Sequence, residues 1–184
     1  MKTGLILGCG YAGRALASSR RSSGDRILAV TRNADTAREL KSEGVEVFQG
    51  SIQDGEWHDY AQKVDWVVNC VSSAGGGLAG YRLSYVDGNR SLVDWMEKTR
   101  FAGPVMYTSS VSVYPDSQGA WVGESDARPH SERAEIMLEA EEMFLSGPST
   151  VVKVVLRLGG IYGPGRSFLA NRIREAKGVM PGHG

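Results

Sequence analysis

The stretch Leu5-Ile6-Leu7-Gly8-Cys9-Gly10-Tyr11-Ala12-Gly13 decides the fold of this chain. Its apolar opening is typical of a β-strand, its glycines follow the pattern Gly-x-Gly-x-x-Gly, and the residues after Gly13 favour a helix. In that order of strand, turn and helix, the pattern is the fingerprint of a dinucleotide site. Gly8 permits the tight turn, Gly10 lets the backbone approach a pyrophosphate, and Gly13 lets the helix pack closely against the strand.

Anions bind well at such a turn because the free N–H groups and the dipole of a helix N-terminus favour negative charge. We therefore expect the phosphates of a dinucleotide to lie on the backbone of Gly8, Gly10, Tyr11, Ala12 and Gly13. The chain has 24 glycines, so the strand and helix around the pattern carry this argument more than the pattern itself. The alternative is that these glycines serve only packing.

The composition is that of a soluble globular protein with room for one core. Hydrophobic residues make up 41% of the 184 residues and charged residues 23%. The net charge is zero, so we expect neither nucleic acid nor a membrane surface as a partner. No apolar run reaches the ~20 residues of a membrane span, and we expect a cytoplasmic protein. Cys9 and Cys70 each end an apolar run, which favours small buried residues over a disulfide. We assign no metal site.

Apolar runs and helical periodicity divide the chain into alternating strands and helices. Strands are predicted over residues 2–8, 26–31, 45–49, 64–71, 104–108 and 150–158. Helices are predicted over residues 12–23, 34–42, 55–63, 81–100, 131–145 and 168–177. This alternation implies parallel βαβ units with right-handed crossovers. We predict one α/β domain over residues 1–184, a Rossmann-like, doubly wound parallel sheet of about six strands with helices on both faces.

Arg32 follows the second predicted strand, where a dinucleotide site reads the adenosine ribose. An acidic residue there accepts hydrogen bonds from the ribose hydroxyls and repels a 2′-phosphate. An arginine offers a planar fork of donors that matches a phosphate. The sequence therefore favours NADP over NAD as the cofactor. The alternative is that Arg32 is a solvated loop residue.

Three later stretches, taken with the glycine turn and Arg32, identify a family. They are Tyr107-Thr108-Ser109-Ser110, Val113-Tyr114, and the run Leu156-Arg157-Leu158-Gly159-Gly160-Ile161-Tyr162-Gly163-Pro164-Gly165. Together they resemble the NAD(P)-dependent epimerase/dehydratase family, the extended and atypical short-chain dehydrogenases/reductases. The resemblance covers essentially the whole chain, and it is greatest to a subgroup of nucleoside-diphosphate-sugar epimerase-like proteins.

The resemblance implies roles for several residues. Ser110, four residues before Tyr114, would polarise the substrate oxygen. Cys70, Val71 and Ser72 would pass along the nicotinamide side of the cofactor. The substrate would be a nucleotide-sugar or a related carbonyl compound. Members of the family often form homodimers through the two helices predicted here over residues 81–100 and 131–145.

The chain departs from the family in its proton-transfer pair. The family carries Tyr-x-x-x-Lys at the start of the helix after the fifth strand, and no such pair occurs in this chain. Counting back from Glu141, which resembles the family's helix acid, the tyrosine position falls on Arg133 and the lysine position on Met137. Arg133 could polarise an oxygen, but it stays charged at pH 7 and cannot transfer a proton. His130 and Glu132 are titratable neighbours, although both are typical of an exposed first helical turn.

Two functional interpretations follow. The first is an NADP-dependent oxidoreductase or epimerase with nonstandard proton handling. The second is a dinucleotide-binding sensor or regulatory module with little or no turnover. The family also continues into a small C-terminal substrate-binding region, and we expect that region to be missing or truncated here.

Overall fold

The structure is a computed structural model that describes residues 1–73, 75–167 and 173–174. Six parallel strands form one sheet in the order β3-β2-β1-β4-β5-β6. The strands are β1 (Thr3–Leu7), β2 (Arg26–Thr31), β3 (Glu46–Gln49), β4 (Trp66–Asn69), β5 (Val105–Ser110) and β6 (Lys153–Leu158). The prediction of a Rossmann-like sheet of about six parallel strands is confirmed.

The strand order reverses direction between β1 and β4. Leu7 of β1 is in register with Val30 of β2 on one side and with Asn69 of β4 on the other. The carboxyl ends of these three strands therefore finish at the same level. A crevice opens at this reversal in doubly wound sheets because the connections leave in opposite directions.

The helices cover both faces of the sheet. They are α1 (Tyr11–Ser22), α2 (Ala34–Ser42), α3 (Gly77–Arg82), α4 (Gly88–Thr99) and α5 (Glu132–Leu145). Alternate side chains of β1 point to opposite faces, as the period of a strand requires. Ile6 belongs to the cluster that holds Ala17 of α1, whereas Leu5 and Leu7 belong to the larger cluster under α4 and α5. The core therefore lies in two layers.

Several helix boundaries follow from capping residues. The Asn33 side chain accepts a hydrogen bond from the Thr36 N–H at 2.8 Å and caps α2. The helix begins at Ala34, as predicted. Ser131 accepts from the Ala134 N–H at 3.2 Å at the start of α5. Helices α3 and α4 are joined by a π-helical turn over Leu83–Asp87, inside the single helix predicted over residues 81–100.

The helix predicted over residues 55–63 is wrong. A 3-10 turn over Ile52–Asp54 ends at Gly55, whose φ is +71°, and irregular turns follow. The segment is fixed by the fully buried Trp57, whose ring N–H donates to the Ile52 carbonyl at 2.7 Å. Isolated turn bonds remain, from the His58 N–H to the Gly55 carbonyl and from the Ala61 N–H to the Trp57 carbonyl, each at 3.0 Å, but they do not form a continuous helix. Apart from residues 173–174, the helix predicted over residues 168–177 lies outside the described residues.

Candidate functional site

The glycine turn joins β1 to α1 at the crevice between β1 and β4. Gly8 has a φ of +76°, and a Cβ at this position would lie 2.5 Å from the Val71 Cα. Its N–H donates to the Val30 carbonyl at 2.9 Å. Only glycine allows this conformation together with this approach of two backbones. The predicted tight turn at Gly8 therefore exists, and it also brings the segment after β4 against the turn.

Gly10 and Gly13 meet different surroundings. A Cβ at Gly13 would lie 2.9 Å from the Gly8 carbonyl oxygen and 3.2 Å from the Ile6 Cγ2, so Gly13 permits the close packing of α1 on β1. A Cβ at Gly10 would meet no protein atom within 4 Å. Gly10 is the N-cap of α1, whose first turn has no side-chain cap and no acidic residue. The first N–H groups of α1 are therefore available to an anion.

Two cavities extend from the turn along the carboxyl edge of the sheet. One, of about 390 Å³, lies on the β2 and β3 side, and the other, of about 210 Å³, lies on the β5 and β6 side. They share Gly10, Cys70, Val71 and Ser72 as lining residues. The predicted cofactor residues that line one or both cavities are Gly8, Gly10, Tyr11, Ala12, Arg32, Cys70, Val71 and Ser72. The structure thus brings these residues to one trough, with Gly13 packed behind it.

The trough is positively charged. Arg32 lines the first cavity and Arg166 lines the second, and the described lining residues include no Asp or Glu. Arg32 is exposed at the end of β2. A ligand with more than one anionic group fits this arrangement of two cations and a free helix N-terminus.

A buried pair of amides positions the segment after β4. Asn69 donates to the Asn89 side-chain oxygen at 2.7 Å and accepts from the Val71 N–H at 3.1 Å. Asn89 in turn donates to the Ala140 carbonyl at 3.0 Å. Both side chains are almost wholly buried, so these hydrogen bonds take the place of the bonds to water that the amides lose on folding. Our sequence reasoning missed this pair, although an asparagine inside the apolar β4 run was a signal.

A second buried network fixes the end of β5. The Ser109 hydroxyl donates to Glu141 Oε1 at 2.5 Å, and Arg157 Nη2 lies 2.7 Å from Glu141 Oε2. Arg157 also donates to the Tyr114 hydroxyl at 2.8 Å, and its guanidinium lies 5.2 Å from the Tyr114 ring centroid. Hydrogen bonding to Glu141 raises the pKa of Arg157 above its ordinary value. The network joins α5, β5 and β6 beside Ser110.

The two cysteine thiols are free. Burial raises the pKa of Cys9 to about 12 and that of Cys70 to about 11. Both thiols are therefore protonated at neutral pH and are weak nucleophiles. Cys9 is buried, as the sequence predicted, whereas Cys70 is only partly buried and lines both cavities.

Comparison with known proteins decides the family. Residues 5–181 match the NAD dependent epimerase/dehydratase family. The chain belongs to this family. Protein YeeZ of Escherichia coli (strain K12) is 26% identical over 171 residues, which is 90% of this chain and 61% of YeeZ. The chain therefore spans about six-tenths of the length of the curated relatives that it matches.

Solved structures of similar fold include proteins in complex with NAD and a uridine nucleotide. The Bordetella bronchiseptica enzyme WbmG, in complex with NAD and UDP, superposes with a TM-score of 0.78 at 20% identity, over 94% of this chain and 59% of WbmG. MoeE5, in complex with UDP-glucose and NAD, gives a TM-score of 0.78 at 23% identity, over 94% of this chain and 60% of MoeE5. At these identities the likeness shows a shared fold.

Within this family fold, the predicted catalytic residues occupy different places. Ser110 lines the second cavity, and its side chain accepts from the Ser112 N–H at 3.1 Å. Met137 also lines that cavity. Arg133 is exposed and is not among the lining residues of either cavity; its guanidinium lies 5.5 Å from the Tyr81 ring centroid.

Tyr85 is a further residue of the second cavity that sequence reasoning did not single out. It lies in the π-helical turn, and its hydroxyl accepts from the Ser73 N–H at 3.1 Å. Its ring packs edge-on against Tyr81, with 4.8 Å between the ring centroids. Burial raises the pKa of Tyr85 above its ordinary value, and the hydroxyl is protonated at neutral pH.

Two negative findings concern the described residues alone. None of the helices described here has the length and apolar character needed to cross a membrane. Within residues 1–73, 75–167 and 173–174, no three His, Cys, Asp or Glu side chains are grouped to hold a metal ion.

Proposed function

We propose that this chain binds a nicotinamide dinucleotide along the carboxyl edge of its sheet, with NADP preferred to NAD. We further propose that the protein is an oxidoreductase or epimerase acting on a nucleotide-sugar or a related carbonyl compound. The observation that carries the proposal is the open side of Gly10. It exposes the uncapped N-terminus of α1 at the point where both cavities meet.

The lining residues fit a dinucleotide. In the proposed pose, the pyrophosphate lies over Gly10 and the first N–H groups of α1, and the adenosine lies in the cavity beside β2 and β3. Arg32, at the end of β2, then faces the 2′-phosphate that distinguishes NADP from NAD. The nicotinamide lies in the cavity lined by Ser110 and Tyr85. The absence of carboxylates among the described lining residues supports an anionic ligand.

The substrate class is proposed from the relatives. WbmG is described in complex with NAD and UDP, and MoeE5 with UDP-glucose and NAD. A bound nicotinamide supplies hydride exchange. The Ser110 hydroxyl hydrogen-bonds the reacting oxygen of the substrate. Tyr85 is held by the Ser73 N–H and has its own O–H available as a second donor.

Proton handling differs from the family pattern. The Tyr-x-x-x-Lys pair is absent from the sequence, and Met137 occupies the lysine position beside the cavity. Hydroxyl donors that stay protonated at neutral pH stabilise an oxyanion by hydrogen bonding. The proton that accompanies the hydride would be exchanged between the substrate oxygen and solvent. The Arg133 guanidinium lies over the Tyr81 ring, outside the cavity lining, and we assign it the role of a more distant cation that favours the oxyanion.

A turnover assay tests this proposal. The chain is incubated with NADPH or NADP and a panel of UDP- and dTDP-sugars and their keto derivatives, and the nicotinamide absorbance and the sugar products are followed. We expect turnover with at least one member of the panel, and a loss of about 100-fold in Ser110→Ala. Ser112→Ala is the matched control, because it keeps the backbone N–H that Ser110 accepts from.

The outcomes separate the two interpretations of the sequence. Turnover that Ser110→Ala reduces and Ser112→Ala leaves intact supports the enzyme. Tight cofactor binding without turnover on the whole panel would contradict it and would favour a sensor or regulatory module.

A further inference from the structure

The loop after β6 is attached to the first residue of α1. The Tyr11 hydroxyl donates to the Pro164 carbonyl at 3.1 Å. A Cβ at Gly163 would lie 2.4 Å from the Tyr11 hydroxyl oxygen, so a side chain there would require the Tyr11 ring or the loop to shift. The attachment therefore brings a segment more than 150 residues distant in sequence to the edge of the glycine turn.

Arg166 is held both by its backbone and by its side chain. Its backbone exchanges two hydrogen bonds of 2.9 Å with Gly163, which closes a tight turn with Gly165 at a φ of +71°. Its guanidinium lies 5.3 Å from the centroid of the Tyr11 ring. Contact with an aromatic face leaves the in-plane N–H donors of a guanidinium free for an anion.

The charges around Arg166 favour an anionic ligand. Among the described residues that line the second cavity, Arg166 is the charged one, and it lines the cavity together with Gly10, Tyr11 and Ala12. Of the ion pairs between described residues, none includes Arg166. A guanidinium beside glycine-turn backbone, with no carboxylate among the described lining residues, is suited to a diphosphate.

We propose that Arg166 is a second ligand for a diphosphate group, which it holds from the side opposite the glycine turn. The inference rests on the proposed binding of a dinucleotide. The diphosphate would accept hydrogen bonds from the first N–H groups of α1 on one side and from the Arg166 fork on the other. Tyr11 connects the two sides, since its backbone forms the turn and its ring carries the arginine.

Two ligands of this proposed reaction carry a diphosphate, namely the dinucleotide and a nucleoside-diphosphate sugar. The position of Arg166 beside Gly10, Tyr11 and Ala12 favours the dinucleotide. This role differs from that of Arg32, which would read the 2′-phosphate. Loss of Arg166 should therefore weaken the binding of NADPH and of NADH by the same factor. Loss of Arg32 should weaken the binding of NADPH alone.

Calorimetric titration with NADPH, NADH, ADP-ribose and UDP tests the inference. We expect Arg166→Gln to weaken the binding of the first three ligands about ten-fold or more, and Arg166→Lys to weaken their binding less. Tyr11→Leu removes the ring and should reproduce the Arg166→Gln result, without a further loss in the double variant. Arg38→Gln is the control, because Arg38 is an exposed arginine of α2 outside both cavities. Circular dichroism and thermal melting establish that each variant is folded.

Each outcome decides between the two proposals. Weaker binding of ADP-ribose in Arg166→Gln supports the inference with the dinucleotide as the source of the diphosphate. Weaker binding of UDP alone supports it with the nucleotide-sugar as the source. Unchanged affinity for all four ligands in folded Arg166→Gln overturns the inference and leaves the proposed function standing. If the wild-type chain binds none of them, the proposed function itself fails.

Discussion

Glu141 of α5 and Arg157 of β6 form a largely buried ion pair at the carboxyl edge of the sheet. Their nearest atoms, Oε2 and Nη2, are 2.7 Å apart, and 6% and 19% of the two side chains are exposed. Arg157 Nε also donates to both carboxylate oxygens at 3.1 and 3.2 Å. Because Glu141 also accepts from Ser109, the pair links α5 and β6 to the residue that precedes Ser110.

Removing the charge of Glu141 should destabilise the fold. Glu141→Gln leaves a largely buried arginine unpaired, and we expect the free energy of unfolding to fall by about 3 kcal/mol, measured by urea denaturation. The control is Glu39→Gln, which breaks an exposed ion pair with Arg14 and should cost about 1 kcal/mol or less. Equal effects of the two substitutions would contradict the structural role of the Glu141–Arg157 pair.

Arg32 should determine the choice of nicotinamide cofactor. In Arg32→Asp, a carboxylate would repel the 2′-phosphate and accept hydrogen bonds from the ribose hydroxyls. We expect the ratio of the NADPH and NADH dissociation constants to shift toward NADH by about ten-fold or more, measured by calorimetry. Arg38→Asp, on the exposed face of α2, should leave the ratio unchanged. An unchanged ratio in Arg32→Asp would mean that Arg32 is only a surface residue.

An added methyl group should lower the free energy of unfolding at Gly13 but not at Gly10. Gly13→Ala places a Cβ against the Gly8 carbonyl oxygen, and we expect a loss of stability of about 1–3 kcal/mol. Gly10→Ala meets no protein atom within 4 Å and should leave the free energy of unfolding nearly unchanged. Chemical denaturation of both variants measures the difference. A large loss of stability in Gly10→Ala would contradict the finding that the space beside Gly10 is open.

His58 should contribute a pH-dependent term to stability. Burial lowers the pKa of His58 below its usual value, and its Nε2 lies 3.0 Å from the Ser91 hydroxyl. The unfolded chain then binds the proton more tightly than the folded one. The stability is present above the unfolded pKa of about 6.5 and is lost as the pH falls through the lower folded value.

The contribution of His58 is tested by measuring the free energy of unfolding at a series of pH values from 7 downward. In His58→Gln, the decline of stability in acid should be shallower than in the wild type. His130→Gln, which alters an exposed ring, is the matched control. A steeper decline in His58→Gln would contradict the predicted direction.

The sequence predicted those parts of the fold that depend on local patterns. The bounds of β2 and α2 match because an apolar run marks the strand and a helical stretch closed by Gly44 marks the helix. The glycine turn was predicted from the Gly-x-Gly-x-x-Gly pattern between an apolar strand and a helix, and it lies at the carboxyl edge because it directly follows β1. The segment over residues 55–63 failed because burial of Trp57, which depends on tertiary packing, overrides its local helical preference.

The parts of the site that involve distant residues were not predictable from one sequence. Asn69 and Asn89 meet across two elements, and Arg166 reaches the trough only because its loop packs on Tyr11. The family motif indicated Glu141 and Arg157 separately, but not that they bond each other and Ser109. Such contacts depend on the register of the sheet and on how its loops fold back.

The most direct test of the central claim is a calorimetric titration of the wild-type chain and Gly10→Ala with NADPH and with NADH. We predict binding of NADPH to the wild type at about micromolar dissociation constant, weaker binding of NADH, and a loss of about ten-fold or more for both in the folded Gly10→Ala variant. Absence of binding of either nucleotide to the folded wild-type chain would contradict the claim that the trough at the glycine turn is a dinucleotide site.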